Sequence, residues 1–483
     1  MCGIIGIMGT VKASSELYNG LFAIQHRGQN GAGMYVHDGT KGSIHKGPGL
    51  VGEVFNKHIL ERLKGSNGLG HVRYPTIGSN VEKDAQPFVI NEPTEIAMVH
   101  NGNIVNMDHI SDEMDLELES ECDLEVLLSL FSKELIKEGD LTEDGIFSAV
   151  GGTMDKLNGS YSVIAFIPNM GMLLFRDPYA IRPMIYGGKR SLDGVSYAVA
   201  SENIVLDILG YEVIRDVRGG EAILVREDKS VVTYQVRPSS PRQCMFEWVY
   251  FARTDSTIEK TNVYEARLRL GKELAKEWRK KKHGLDVVVP VPDTARTYAL
   301  AMAEELGVPF REGLLRNRYI GRTFIMPDQT SRETAVRTKL NPIIEEVKGK
   351  RVALVDDSIV RGTTSKKLVE LMRRAGAKEV HFIIGCPPIR SPCYYGIDMP
   401  TKHELKASHN TIDEICEDIG ADSLTYQTME GLINGLKIDL ENLCTACLNG
   451  DYPTQVREDI REYFAGKRKR DRSIVNSQEN SIA

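Results

Sequence analysis

Beyond about residue 243 the chain alternates short apolar runs with amphipathic helical ones, and that alternation leaves few folds open. LDVVVPVPD (285–293) reads as a buried strand, TARTYALAMAEELG (294–307) as a helix closed by glycine, and RVALVDD (351–357) as a second strand. SKKLVELMRRAGA (365–377) then reads as a second helix and EVHFIIG (379–385) as a third strand. Strands alternating with helices build right-handed βαβ units on a parallel sheet. Ligands of such sheets bind beyond the carboxyl ends of the strands. The preceding residues have another texture. YSVIAFIP (161–168), MGMLLFRD (170–177), VSYAVASE (195–202) and GEAILVRE (220–227) are strand-length runs with few crossover helices between them, which predicts antiparallel sheets. Longer amphipathic patterns in SELYNGLFAIQHRG (15–28) and DLEVLLSLFSKELIKEG (123–139) predict helices. The texture changes at the Pro-, Ser- and Arg-rich VRPSSPRQ (236–243). The expected organisation is an α+β antiparallel-sheet sandwich over residues 2–235, an α/β parallel-sheet domain over 236–465 and a flexible polar tail over 466–483.

Composition narrows the function classes. Apolar content of 41% and charged content of 26% describe a soluble globular protein. A net charge of −7 gives no general reason to expect nucleic acid, and no apolar stretch approaches the ~18–20 residues of a membrane span. The start, MCGIIGIMG, lacks the basic and long apolar regions of a secretory signal. Eight cysteines in such a chain point to a reducing cytoplasm and to thiols that bind metal or do chemistry.

Three stretches carry chemistry. VALVDDSIVRGTTS (352–365) places Asp356 and Asp357 at the carboxyl end of a strand and leads through Gly362 into a helix. Backbone N–H groups there, with the hydroxyls of Thr363, Thr364 and Ser365, can cradle a phosphate at a helix N-terminus. Two carboxylates repel phosphate and suit ribose hydroxyls and magnesium; an acidic turn before a capped helix is the purely structural alternative. At the other end of the chain, removal of Met1 gives Cys2 a thiol and a free α-amine, a nucleophile with a base attached. The alternative for Cys2 is a buried structural cysteine on a first strand. CTAC (444–447) has metal-ligand spacing, ambiguous by itself between a redox pair, zinc and iron–sulfur.

VALVDDSIVRGTTS resembles the phosphoribosyl pyrophosphate motif of the phosphoribosyltransferases, and VPVPDTART (289–297) resembles that family's pyrophosphate loop. The resemblance implies that Asp356, Asp357, Ser358, Arg361, Gly362, Thr363, Thr364 and Ser365 bind phosphoribosyl pyrophosphate. It also implies that Thr294 joins Asp356 and Asp357 around Mg2+. NRYIGRTFIMPDQTSRETAVRTKLNP (317–342) resembles the family's mobile loop, with Arg and Lys to neutralise a polyphosphate. MCGIIG, HRGQNGAG (26–33), GHVRYPTIG (70–78) and HNGNIVN (100–106) are similar to motifs of the glutamine amidotransferases with an N-terminal cysteine. One departure is Asn30-Gly31, where that pattern has Glu-Ser. Up to about residue 460, the two halves together resemble the glutamine phosphoribosyl pyrophosphate amidotransferases. By that resemblance Cys2 attacks the amide carbon of glutamine, with an α-amine of pKa ~7.7–8.0 taking the thiol proton. Asn101 and Gly102 stabilise the oxyanion, Arg73 takes the substrate carboxylate and Asp123 the substrate ammonium. Outside those motifs Arg73 reads equally as a salt-bridge partner and Asp123 as a helix-start residue.

Cys244 in RQCMFEWVYFARTDS and Cys393 in SPCYYGID stand where one branch of the family has two further ligands. The resemblance therefore implies one [4Fe–4S] cluster on Cys244, Cys393, Cys444 and Cys447, although four thiolates also suit zinc. Cys122, Cys386 and Cys416 receive no role. The implied activity forms 5-phosphoribosylamine, glutamate and pyrophosphate from phosphoribosyl pyrophosphate, glutamine and water, at the start of purine synthesis. The implied ligands include purine nucleotide inhibitors, in a homo-oligomer without nucleic acid or membrane. One alternative pairs the glutaminase with a sugar isomerase, which the Asp356 motif opposes. Another is a cluster- and nucleotide-sensing regulator on an inactive phosphoribosyltransferase fold, which intact Cys2, Asp356 and Asp357 oppose.

Overall fold

The computed structural model describes residues 2–75, 82–192, 194–317, 340–399, 401–456 and 466. Most of the loop 317–342, Met1 and nearly all of the tail lie outside the described residues.

The first half is two antiparallel sheets packed face to face. One has seven strands, with Gly3–Met8 central between Gly194–Ala200 and Asn67–Arg73; the other has six, with Ile96–Ile104 beside Gly159–Ile167. Ile4, Met8, Leu69, Val99, Ile164 and Leu174 fill the layer between the sheets. The outer faces are buried too. Ile5 and Ile7 pack with Leu17 and Leu21 of the helix Ala13–Ala23. Val163 and Phe175 pack with Leu127 and Phe131 of the helix Asp123–Glu138. Burial on both faces explains why Gly3–Met8 is apolar throughout rather than alternating.

The helix expected over 15–28 stops at Ala23, and a 3-10 turn, Gln25–Arg27, follows. A Cβ on Gly28 would lie 2.4 Å from the Val72 carbonyl carbon, so only glycine lets the chain pass this close to the neighbouring strand. That close passage directs His26 and Arg27 toward the second half.

The second half holds a four-stranded parallel sheet in the order Val287–Pro290, Arg351–Asp356, Glu379–Ile384, Ser423–Tyr426. Its first three strands were legible in the sequence. The fourth, SLTY, is too short to stand out.

Candidate active site

The Asp356 strand ends in the layer the sheet topology requires, at the carboxyl edge of the parallel sheet. Gly362 adopts a left-handed φ of 81°, and the helix Thr363–Arg374 begins directly after it. Its amphipathic pattern buries Leu368, Val369 and Met372, which anchors the N-terminus at the site. A cavity of about 1100 Å³ opens there; Thr294, Asp356, Asp357, Ser358 and the whole run Arg361–Ser365 line it. Burial, and then the Asp357 charge, push the Asp356 carboxyl well above its usual range. Burial raises Asp357 to about 6, against hydrogen bonding from Ser358, whose hydroxyl donates to Asp357 Oδ1 at 2.8 Å. One buried carboxylate and an adjacent half-buried one, mutually repelling, are poised for a cation.

Thr294, Asp356 and Asp357 offer one hydroxyl and two carboxylates on one cavity wall. Among the described residues no three His, Cys, Asp or Glu side chains form a metal cage. Mg2+ does not need one: it keeps several waters and binds one or two carboxylates plus substrate phosphates.

The nucleophile side meets the same cavity. Cys2 Sγ donates to the Tyr74 carbonyl at 3.8 Å, and Tyr74 lines the cavity with His26 and Gln29. The pairing Gly3↔Val72 puts Cys2 beside Arg73 on the adjoining strand. From the other sheet, Asn101 Oδ1 accepts the Cys2 backbone N–H at 3.2 Å. Asn101 is fully buried, and its Nδ2 has no hydrogen-bond partner among the described residues. An unpaired buried donor costs ~1–3 kcal/mol, which a hydrogen bond to an acceptor bound beside Cys2 would recover. Gly102 follows; a Cβ there would come within 1.9 Å of the Ser160 carbonyl oxygen. Arg73 is buried and bonded to Asp84, Nη2 to Oδ2 at 2.9 Å. Asp123 opens its helix and accepts the Ile104 N–H at 2.8 Å. Burial by itself would raise Asp123, but His100 at 3.3 Å and backbone donors hold it below the ordinary carboxylate range. At the Asn30 departure the backbone N–H donates to the Arg73 carbonyl at 3.1 Å.

A buried ionic group that the sequence did not single out joins the two halves. Arg27 Nε donates to the Cys2 carbonyl at 3.1 Å, and its other nitrogens reach Glu202 at 2.6 Å and Glu247 at 2.8 Å. Glu202 also receives His26 at 2.7 Å, the Arg253 N–H at 3.0 Å and the Ser256 hydroxyl at 2.5 Å. Arg27 belongs to the HRGQNGAG motif, but Glu202 sits at the end of an ordinary strand run with no pattern to mark it. Burial alone would raise the Glu202 carboxyl; His26 and Arg27 hold it well below the usual range. Its stabilising contribution is therefore present above the unfolded pKa of ~4.3 and lost as pH falls below it. Glu202→Gln should cost ~3–5 kcal/mol at pH 7. Urea unfolding should show the gap to the parent chain narrowing toward pH 3; a gap independent of pH would contradict this ionic role.

The four cysteines come from three segments that bind one another. Gln243–Cys244 pairs in parallel with Leu443–Cys444, register Cys244↔Cys444. The Cys447 carbonyl accepts the Arg390 and Ser391 N–H groups at 2.9 and 3.0 Å. All four residues are buried, and Cys244, Cys393 and Cys444 act electrostatically on the single guanidinium of Arg182. Burial pushes the Cys244, Cys444 and Cys447 thiols up. The chemistry of the set, four buried soft donors, fits a thiolate-bound group. The same segment ties down the Asn101 strand and its neighbour: Asn103 Nδ2 donates to the Tyr394 carbonyl at 2.9 Å, and Ser160 Oγ, on Gly159–Ile167, to the Tyr395 carbonyl at 3.0 Å.

Comparison with known proteins agrees with both halves. A glutamine amidotransferase domain family matches residues 71–207, and a phosphoribosyl transferase domain family matches residues 260–419. An amidophosphoribosyltransferase of Pseudomonas aeruginosa is 46% identical over 466 residues, covering 94% of this chain and 93% of the relative. One from Escherichia coli is 43% identical over 472 residues, with 94% and 93% covered. Among solved structures, glutamine phosphoribosylpyrophosphate amidotransferase from B. subtilis, complexed with ADP and GMP, superposes with a TM-score of 0.86 at 38% identity. That match covers 95% of this chain and 98% of the other.

Proposed function

The chain belongs to the amidophosphoribosyltransferase family, and from that premise we propose how its residues divide the reaction. The enzyme forms 5-phosphoribosylamine, glutamate and pyrophosphate from phosphoribosyl pyrophosphate, glutamine and water, the first step of purine biosynthesis. Residues 2–235 carry the glutaminase and 236–465 the phosphoribosyl transfer. Cys2 Sγ attacks the amide carbon of glutamine, ammonia leaves, and water hydrolyses the thioester. The observation that carries this assignment is Asn101, which holds the Cys2 backbone through Oδ1 and keeps Nδ2 unpaired and buried. With the Gly102 N–H it meets the oxyanion; one such donor is worth ~2.7–4 kcal/mol of barrier. Arg73 receives the substrate carboxylate and Asp123 the ammonium.

In the second half the N–H groups and hydroxyls of Thr363, Thr364 and Ser365 hold the phosphate, while Ser358, Arg361 and Gly362 complete the loop around phosphoribosyl pyrophosphate. Thr294, Asp356 and Asp357 would hold Mg2+, which when bound neutralises charge on the pyrophosphate. Cys244, Cys393, Cys444 and Cys447 would hold a [4Fe–4S] cluster, which supplies structural cross-linking here. A cytoplasmic location, a homo-oligomer and inhibition by purine nucleotides complete the proposal; the relative solved with ADP and GMP supports the last. No helix among the described residues is long and apolar enough to cross a membrane.

Pyrophosphate release should depend on glutamine or on high ammonia, and fall on adding ADP with GMP; release independent of any nitrogen donor would contradict the reading. Anaerobically purified protein should be brown and hold iron. Cys→Ser at Cys244, Cys393, Cys444 or Cys447 should lower the iron content, and Cys386→Ser or Cys416→Ser should not. Colourless protein with stoichiometric zinc would replace the cluster by zinc and leave both catalytic sites as assigned.

A further inference from the structure

We propose that the tripeptide Asp84-Ala85-Gln86 is a positioning element that sets the two ends of the amino-acid clamp against each other, and so determines selectivity for an α-amino acid head group. The inference rests on Arg73 and Asp123 being the carboxylate and ammonium sites. Asp84 is fully buried and has two bonds in opposite directions. Its Oδ2 accepts from Arg73 Nη2 at 2.9 Å, and its Oδ1 accepts the Glu121 N–H at 3.0 Å, two residues before Asp123. Gln86, also buried, reaches the other end. Its Oε1 accepts the His100 N–H at 2.8 Å and its Nε2 lies 2.9 Å from His100 Nδ1. His100 Nε2 is in turn 3.3 Å from Asp123 Oδ2.

The tripeptide therefore fixes the guanidinium directly and the carboxylate through one imidazole. Its own backbone is pinned: Lys46 Nζ donates to the Ala85 carbonyl at 2.5 Å and to the Pro87 carbonyl at 3.3 Å. The separation of the two charged ends is thus fixed by three adjacent residues, none of whose side chains is required to touch substrate. Hydrogen bonds to charged groups are strong and directional. Losing one should tilt one end of the clamp and leave the other in place.

The test compares glutamine with two truncated amides, 4-aminobutanamide, which lacks the α-carboxylate, and 4-carbamoylbutanoate, which lacks the α-amine. Asp84→Asn should raise KM for glutamine about tenfold, the scale of one lost hydrogen bond to a charged group. It should selectively narrow the preference, in kcat/KM, for glutamine over 4-aminobutanamide. Gln86→Ala should instead narrow the preference over 4-carbamoylbutanoate. Ammonia-driven synthesis should be unchanged in both, reporting a folded chain. Equal losses for all three amides, an unchanged KM or a lowered KM would overturn the proposal; if Asp84→Asn does not fold, the Gln86→Ala pattern decides alone. Arg73→Lys serves as control: if it leaves the KM for glutamine unchanged, the clamp assignment itself fails, whatever the tripeptide does.

Discussion

Cys2→Ala should abolish glutamine-dependent synthesis and leave synthesis from high external ammonia largely intact. Loss of a catalytic nucleophile commonly lowers kcat by factors on the order of 10⁴–10⁶, so no measurable glutaminase should survive. Ammonia-driven synthesis needs only the cavity at Asp356, which Cys2 does not line. The side chain is small and half-exposed, and its main structural tie is the backbone bond to Asn101, which alanine keeps. Parallel assays with glutamine and ammonium salts measure the two activities separately. Equal loss of both in a folded variant would contradict the separation of sites. Mass spectrometry should find Met1 removed from active protein, since the proposed base is the free α-amine of Cys2.

The second large effect concerns the acidic pair. Asp356→Asn and Asp357→Asn should each impair synthesis from glutamine and from ammonia alike, while basal glutamine hydrolysis persists. Stability should move the other way. Burial raises Asp357 to about 6 in the folded chain, against ~3.9 unfolded. A raised carboxyl contributes stability that is present below the unfolded value and lost as pH rises through about 6. At pH 7 the metal-free protein therefore holds an ionised Asp357 at a cost in stability. Asp357→Asn removes that charge, so the metal-free variant should unfold at a higher temperature than the parent at pH 7 and show no such gain at pH 4. Normal synthesis in both variants would mean the motif has been misread. A lower unfolding temperature at pH 7 would mean the charge is not strained.

The sequence by itself determined what depends on contiguous residues. The strand-to-helix motif 352–365 and the alternation around it specify the parallel sheet and its phosphate-binding edge, because strand, turn and helix N-terminus are consecutive. The position-two cysteine and the glutaminase motifs were legible for the same reason. The tertiary structure decided what joins distant segments. No local pattern could place Glu202 against Arg27, 175 positions away, or make it the meeting point of donors from both halves. Nor could one bring Tyr394 onto the Asn101 strand and Tyr395 onto the strand beside it, or Asp84 between Arg73 and Glu121. Local periodicity records which face of an element is apolar. Which buried charge meets which is set only when separate sheets and segments pack and each desolvated group must find its partner.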